Sequence, residues 1–377
     1  MIYLDSAATT AVRRDVLEAM WPYLTGDFGN PSSHHGLGES AAAALADARG
    51  RIAAVLGCRA SEVVFTSGGT EGDNLAIKGI ALASPRGRHI VTTTIEHQAV
   101  LEACDYLVRF HGFEVARLGV DADGLVDLDE VAEAIRPDTT LVTVMYANNE
   151  VGSIQPIGQI VAIAHELGVP VHTDAVQAAG ALDLDVTRLG VDAMTISGHK
   201  LGAPKGVGAL FVRGRIPLEP LMHGGGQERG RRSGTENVAG AVGLATALEL
   251  ATRAIDPSLV QTRDRLIAAV LGTVPGARLT GHPSARLPGN ASFTFAGTSG
   301  EAVLLELERR GILCSSGSAC AAGSDEPSHV LLAMGLDPAL AQTAVRFTIA
   351  DGLSPAELDE VTDAVRDSVA AVQQLTW

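Results

Sequence analysis

Residues 193–200 form a short apolar run that turns into small and polar residues, Ala193-Met194-Thr195-Ile196-Ser197-Gly198-His199-Lys200. The first four residues predict a strand, and the turn after them places Lys200 beyond its carboxyl end. A lysine among small residues can approach a carbonyl group closely and form a Schiff base with it. Because an isolated Gly-His-Lys is more often a solvated loop, the interpretation depends on the rest of the chain.

The same alternation of strand and helix precedes this segment. Short β-branched runs alternate with helical patterns, the strands at 62–66, 89–93, 140–146 and 169–173 and the helices at 39–56, 74–82, 98–110 and 157–167. Such alternation predicts an α/β fold with a mostly parallel sheet that helices cover on both faces. Ligands of these sheets bind beyond the carboxyl ends of the strands, so we expect the functional residues there.

The pattern changes after residue 240. A long helical stretch is followed by strands and an amphipathic last helix, at 241–271, 290–295, 345–348 and 355–375. We therefore predict a large α/β domain over residues 16–250 and a smaller α+β domain formed by residues 1–15 and 251–377.

Composition and charge exclude several classes of function. The 377 residues are 46% hydrophobic and 19% charged, which is typical of a globular chain. A net charge of −16 and an aromatic content of 4% disfavour direct binding of nucleic acid. The N-terminus lacks the basic and apolar regions of a signal peptide, and no apolar run approaches the ~18 residues of a membrane span. We expect a cytoplasmic protein that binds neither nucleic acid nor a membrane.

Three further strand ends carry side chains that suit pyridoxal phosphate. Asp174 follows one strand, and a carboxylate beside a pyridine nitrogen keeps that nitrogen protonated, with Gln177 placed to reach the ring oxygen. The glycine turn at 67–70 precedes a helix, whose free N–H groups bind phosphate. His97 follows another strand, where its imidazole can stack on the ring. Each feature alone has a commoner explanation, namely a helix cap, an ordinary turn or a surface histidine, but together with Lys200 they predict a cofactor site.

The four cysteines form neither a disulfide framework nor a CxxC zinc motif. Cys320 lies among small, turn-forming residues, as expected of a reactive thiol on a loop. For Cys58, Cys104 and Cys314 we expect no role beyond packing.

Together, these motifs resemble those of the cysteine desulfurases, fold-type-I pyridoxal phosphate enzymes that supply sulfur for iron–sulfur clusters and tRNA thiolation. The similarity extends from Tyr3 to about Phe347 and includes seven segments in order: FTSGGTE (65–71), EH (96–97), NNE (148–150), DAVQ (174–177), SGHK (197–200), RSGT (232–235) and SSGSAC (315–320). The resemblance implies a large domain with a mostly parallel sheet of the seven-stranded type and a smaller α+β domain that carries the Cys320 loop. It also implies L-cysteine as substrate and L-alanine as product.

The resemblance further implies a role for each matching residue. Lys200 matches the lysine that binds the cofactor and moves the α-proton, and Asp174 matches the partner of the ring nitrogen. His97 matches the stacking, proton-handling histidine, and Arg346 matches the arginine that holds the substrate carboxylate. Cys320 matches the nucleophile that accepts sulfur as a persulfide.

The other matches are contacts to the cofactor and substrate. Asn149 and Gln177 match contacts to the ring oxygen and the substrate, and Thr235 matches a residue that reaches the phosphate of the neighbouring subunit. The remaining phosphate ligands are Gly69, Thr70, Ser197 and His199. A homodimer with shared sites is therefore implied, together with an iron–sulfur scaffold protein or another sulfur acceptor as partner. No intrinsic metal is implied, although Cys320 is a candidate transient ligand of a cluster on the scaffold.

The chain departs from the family pattern at Ile349-Ala350-Asp351, where many members have Leu-Gly-Arg, so no role is carried over to a basic residue there. It also ends at Trp377, soon after the last predicted helix, and we expect no long tail of the kind some members use for the scaffold protein.

Three alternatives stay open. Another fold-type-I enzyme, such as a C–S lyase, a selenocysteine lyase or an aminotransferase, shares the cofactor residues, but transamination has no use for the Cys320 thiol. A non-catalytic sulfur carrier could keep the fold, but Lys200, Asp174, His97 and Arg346 together argue against it. An NAD dehydrogenase is disfavoured because the chain lacks its glycine fingerprint.

Overall fold

The computed structural model describes residues 1–83, 86–253, 257–317, 326–350 and 352–375. The strands in these ranges are β1 Ile2–Tyr3, β2 Val63–Thr66, β3 His89–Thr93, β4 Glu114–Leu118, β5 Thr139–Thr143, β6 Val171–Asp174, β7 Ala193–Ser197, β8 Gly208–Val212, β9 Ala277–Leu279, β10 Asn290–Phe295, β11 Ile312–Leu313 and β12 Ala344–Thr348. The helices are α1 Arg14–Thr25, α2 Gly36–Leu56, α3 Gly69–Ala83, α4 Gln98–His111, α5 Leu128–Ala134, α6 Ile157–Glu166, α7 Val186–Leu189, α8 Val238–Arg253, α9 Pro257–Thr273, α10 Gly300–Arg309, α11 His329–Ala333, α12 Pro338–Ala341 and α13 Pro355–Leu375.

The main sheet has seven strands in the order β2-β8-β7-β6-β5-β3-β4. Strands β3 to β7 pair in parallel, whereas β8 runs antiparallel to both of its neighbours, β2 and β7. Its central strands are buried along their whole length, as expected of strands that helices cover on both faces. The prediction of an α/β fold with a mostly parallel sheet of this size is confirmed.

Two predicted elements differ from the structure. The helical pattern at 241–271 is not one helix, because α8 ends at Arg253 and α9 begins at Pro257, a residue that lacks an N–H and suits the first position of a new helix. The strand predicted to reach Tyr146 ends at Thr143, because the N–H of Met145 donates to the carboxylate of Glu96 instead of to β3. On the other side, the N–H groups of Val144 and Tyr146 still donate to main-chain oxygens of β6.

The N-terminal strand packs with the C-terminal part of the chain. β1 pairs in parallel with β11, and β12, β10 and β9 form an antiparallel sheet. Ile2 and Leu4 share one apolar cluster with buried residues between Leu266 and Val372. The start of the chain is thereby held against its last third, which brings residues 5–8 to the edge of the main sheet.

None of the described helices is by itself both long enough and apolar enough to span a membrane. The bent pair formed by α8 and α9 meets both criteria only when the two helices are counted together.

Candidate active site

A cavity of about 340 Å³ lies beyond the carboxyl ends of the parallel strands. It brings together ten of the residues predicted from the sequence: Gly69, Thr70, His97, Asn149, Asp174, Gln177, Ser197, His199, Lys200 and Arg346. Thr235 is exposed and is not among the residues that line this cavity. Cys320 and Asp351 lie outside the described residues.

One end of the cavity is formed by the turn between β2 and α3. A Cβ at Gly69 would lie 2.8 Å from Val176 Cγ2, so this backbone can approach its neighbours only as glycine. Ser197 Oγ lies beside the turn, is buried, and has no hydrogen-bond partner among the described residues. An orphaned hydroxyl beside the N-terminus of a long helix is an arrangement that binds phosphate.

The middle of the cavity holds Asp174, at the end of β6. Its Oδ1 accepts a hydrogen bond of 2.8 Å from the N–H of Val176. Burial raises the pKa of this carboxyl, while the nearby His97 and Lys200 oppose the shift. A positively charged ligand group beside Asp174 would favour its ionised form.

His97 caps the N-terminus of α4. Its Nδ1 accepts a hydrogen bond of 3.0 Å from the N–H of Ala99, so the neutral ring carries its proton on Nε2. The nitrogen that can exchange a proton with a ligand is therefore Nε2.

His199, the other histidine in the cavity wall, contacts Thr9 Oγ1 through Nδ1 at 3.2 Å. Burial, reinforced by Lys200 and Lys205, lowers its pKa to about 4. Its ring is therefore neutral near pH 7.

The N-terminal segment forms the wall opposite the sheet. Lys200 Nζ donates to the main-chain oxygens of Ala7 and Ala8, the latter at 2.7 Å. Gln177 Nε2 donates to the same Ala7 oxygen at 3.0 Å. Lys200 and Gln177, which each follow a strand of the main sheet, thus both donate to the main-chain oxygen of Ala7.

Arg346, in β12, reaches the cavity from the other side and is 2% exposed. Its Nη1 donates to the carbonyl oxygen of Asn149 at 2.8 Å and weakly to that of Gly317 at 3.4 Å, and its Nη2 donates to Asp5. Its Nε has no partner among the described residues. A buried N–H left unsatisfied on a fixed guanidinium suits a carboxylate ligand.

The sequence interpretation missed a second acid in the cavity wall. Asp73, in α3, is 1% exposed, and its Oδ1 has no hydrogen-bond partner among the described residues. Burial, and then the charge of Asp174, raise the pKa of Asp73 well above its usual range. A signal was available, because Asp73 follows Thr70 by three residues and so shares its helix face.

Glu96 lies next to His97 and is fully buried. It accepts hydrogen bonds from Thr93 Oγ1 at 2.7 Å and from the N–H of Met145 at 2.9 Å. Burial nevertheless raises its pKa to about 8, so this carboxyl holds a proton near neutral pH.

The three cysteines of the described ranges are poor nucleophiles. Burial raises the pKa of Cys58 and of Cys104 to about 12, and it raises that of Cys314 too. Since the thiolate is the reactive form, these thiols are unreactive near neutral pH. In the same ranges, no group of three or more His, Cys, Asp or Glu side chains could hold a metal ion.

Comparison with known proteins gives full-length matches. The sequence pattern of the aminotransferase class-V family matches residues 2–361. A protein named cysteine desulfurase IscS from Methanosarcina thermophila is 47% identical over 379 aligned residues, covering 100% of this chain and 93% of the relative. An IscS-like cysteine desulfurase from Mycobacterium tuberculosis is 46% identical over 384 aligned residues, covering 99% and 98%.

Comparison with solved structures also gives matches over nearly the whole chain. A NifS-like protein superposes with a TM-score of 0.91 at 37% identity, covering 98% of this chain and 99% of its own. A structure described as SspA in complex with cysteine gives a TM-score of 0.83 at 39% identity, covering 94% of this chain and 100% of its own.

The chain belongs to the aminotransferase class-V family. Within that family its full-length relatives are cysteine desulfurases, and the prediction of this enzyme class from the sequence motifs is confirmed. Enzymes of this kind depend in general on pyridoxal phosphate. The residues present fit that group, because the orphaned Ser197 hydroxyl, the glycine turn at Gly69, the buried Asp174 and the amine of Lys200 surround one cavity.

Proposed function

We propose that the protein uses pyridoxal phosphate to convert L-cysteine to L-alanine, and that Cys320 accepts the sulfur as a persulfide for transfer to an iron–sulfur scaffold or another acceptor protein. The observation that carries this proposal is the meeting of Lys200, Asp174, His97 and Arg346 in one cavity. The cofactor, when bound, supplies an electron sink for the substrate's α-carbon.

Residues of the chain bind the cofactor and the substrate and transfer protons. Ser197, Thr70 and the N–H groups at the start of α3 bind the phosphate, and Asp174 holds a proton on the ring nitrogen. Gln177 and Asn149 contact the ring oxygen and the substrate. Lys200 takes the α-proton onto Nζ and returns it, while His97 exchanges a proton at Nε2.

Arg346 binds the substrate carboxylate and so fixes the position of its sulfur. Gly317 lies in the cavity wall, and Cys320 follows it by three residues in the sequence. In the transfer step the Cys320 thiolate attacks the substrate sulfur. An S–S bond forms, the C–S bond breaks with its electron pair on carbon, and that carbon then takes a proton to give alanine.

Two structural predictions belong to this proposal. A homodimer with shared sites is supported by Thr235, which is exposed and is not part of its own chain's cavity wall. The division into residues 16–250 and residues 1–15 with 251–377 is supported by the apolar cluster that joins Ile2 and Leu4 to the C-terminal part. The acceptor protein and the cytoplasmic location stay predictions.

The proposed reaction is tested with alanine variants of two lysines on the same loop, Lys200 and Lys205. Lys200→Ala is expected to abolish alanine formation from L-cysteine and to change the visible absorbance of the added cofactor. Lys205→Ala removes an exposed lysine from the same loop and is expected to leave both unchanged. Alanine formation at the unaltered rate in Lys200→Ala would refute the proposed reaction.

A further inference from the structure

A second cavity, of about 210 Å³, lies behind the candidate active site. Both cavities are lined by Ala7, Val176, Gln177 and Lys200, so these residues form a common wall. The rest of the second lining is mostly apolar and includes Leu201, Ala251, Leu259, Leu287 and Ile349.

Arg13 lines this apolar cavity from the N-terminal end of α1. Its main-chain N–H donates to the oxygen of Gly202, but its guanidinium has no ion pair or hydrogen bond within residues 1–83, 86–253, 257–317, 326–350 and 352–375. The adjacent Arg14 instead points to solvent and pairs with Glu18 at 2.7 Å. Within those ranges, a cationic group thus has no counter-ion at the edge of an apolar space.

The position of Arg13 breaks two local rules. Arginine makes no side-chain capping bond at this helix start, and a positive charge there opposes the helix dipole. Gly202, at φ +87°, makes room for it, because a Cβ at that position would lie 2.6 Å from Arg13 Cγ. An arginine that opposes the preferences of a helix start, and that has no side-chain partner among the described residues, is typical of a functional position.

The size and lining of the cavity define the ligand. An apolar cavity of about 150 Å³ holds a benzene-sized guest, so 210 Å³ suits a molecule of about six to ten heavy atoms. A guanidinium pairs best with a carboxylate, and the leucine and alanine side chains suit an aliphatic body. We propose that this cavity binds a small organic monocarboxylate, with its carboxylate on Arg13 and its aliphatic part against Leu201, Ala251 and Leu287.

A molecule bound in the second cavity would contact the wall that this cavity shares with the candidate active site. Ala7, in the common wall, accepts hydrogen bonds from both Gln177 Nε2 and Lys200 Nζ. The second site therefore differs from the substrate site in its cation, Arg13 instead of Arg346, yet shares a wall with it.

Ligand-observed NMR titration of the purified full chain tests the site, with butyrate as the probe and butyramide as its neutral isostere. We expect saturable butyrate binding, at least ten-fold weaker binding of butyramide, and at least a ten-fold loss of butyrate affinity in Arg13→Gln. Arg13→Lys, which keeps the charge, should retain part of the affinity. Arg14→Gln is the matched control and should bind butyrate like the unaltered protein.

Because butyrate could also enter the active site, Arg346→Gln is titrated in parallel and should keep its butyrate binding at Arg13. Loss of binding in Arg346→Gln with none in Arg13→Gln would overturn the proposal, as would the absence of saturable binding. The readout is binding, so its failure would leave the proposed reaction untouched, and failure of that reaction would leave this site standing.

Discussion

Arg346 Nη2 donates a hydrogen bond of 2.6 Å to Asp5 Oδ1, across a separation of 341 residues in the chain. The two side chains are 2% and 20% exposed, so the pair is largely shielded from water. The contact ties β12 to the N-terminal segment and fixes the plane of the guanidinium. Nε has no hydrogen-bond partner among the described residues, so its N–H can bind a carboxylate ligand.

Replacing Arg346 by lysine should therefore damage substrate binding more than folding. An ammonium group cannot hold Asp5, the Asn149 oxygen and a carboxylate in one plane. We expect Arg346→Lys to lower kcat/KM for L-cysteine by at least about 100-fold, which corresponds to about 2.7 kcal/mol. Arg263→Lys is the control, since Arg263 is also buried, bonds to the Leu287 oxygen and lies outside the cavity. Equal losses in both variants would contradict the assignment of Arg346.

The orphaned hydroxyl of Ser197 should act on the cofactor. Ser197→Ala is expected to weaken pyridoxal phosphate binding at least about ten-fold, because a hydrogen bond to a charged group contributes roughly 1.5–3 kcal/mol. Equilibrium dialysis measures the affinity. Ser368 offers a matched control, since its hydroxyl is also buried without a partner among the described residues but lies in α13. Unchanged affinity in Ser197→Ala would remove Ser197 from the phosphate site.

Asp73 should act as a neutral acid. Burial and the charge of Asp174 raise the pKa of Asp73 and so favour its protonated form, for which asparagine is a neutral substitute of similar shape. We expect Asp73→Asn to keep cofactor affinity within about three-fold, and Asp73→Leu to lose about ten-fold because it cannot form a hydrogen bond in the cavity. If the asparagine variant is as weak as the leucine variant, Asp73 functions as an anion.

The buried Glu96 predicts a pH dependence of stability. Its pKa is about 8 in the folded chain against an ordinary 4.5, so between these values the folded state holds a proton that the unfolded state has lost. Its stabilising contribution is complete below pH 4.5 and is lost as the pH rises through 8. Glu96→Gln cannot titrate, and its stability relative to the unaltered chain should increase with pH by up to about 1.4 kcal/mol per unit.

Urea unfolding at about pH 6 and about pH 8 measures this difference. Glu62→Gln is the control, because hydrogen bonding to Arg59 outweighs burial and lowers the pKa of Glu62 to about 2, far below this range. A pH-independent difference for Glu96→Gln would show that Glu96 is already ionised at pH 6.

The positions of the main site residues could be predicted because each follows a strand of one parallel sheet. Asp174, Lys200 and His97 leave β6, β7 and β3 at the same edge, so local patterns sufficed to group them. Asp5 could not be paired with Arg346 in this way, since their contact depends on the pairing of β1 with β11 and of β12 with β10. No local periodicity encodes a contact between the two ends of a chain.

The strand β8 was also missed. Its residues 208–212 follow the lysine turn closely, and their apolar run fits a buried helix as well as a strand. Its antiparallel direction is set by its place between β2 and β7, which is a property of the assembled sheet.

The fate of the substrate sulfur is the most direct test of the proposed function. The cofactor-loaded protein is given one equivalent of L-cysteine, and the peptide that contains Cys320 is analysed by mass spectrometry beside the alanine released. We predict one added sulfur atom on Cys320 in the unaltered protein and in Cys58→Ser, and none in Cys320→Ser, which should keep the cofactor absorbance but lose sulfide release under reductant. Full sulfide release by Cys320→Ser, or alanine formed while Cys320 stays unmodified, would contradict the sulfur transfer proposed for this protein.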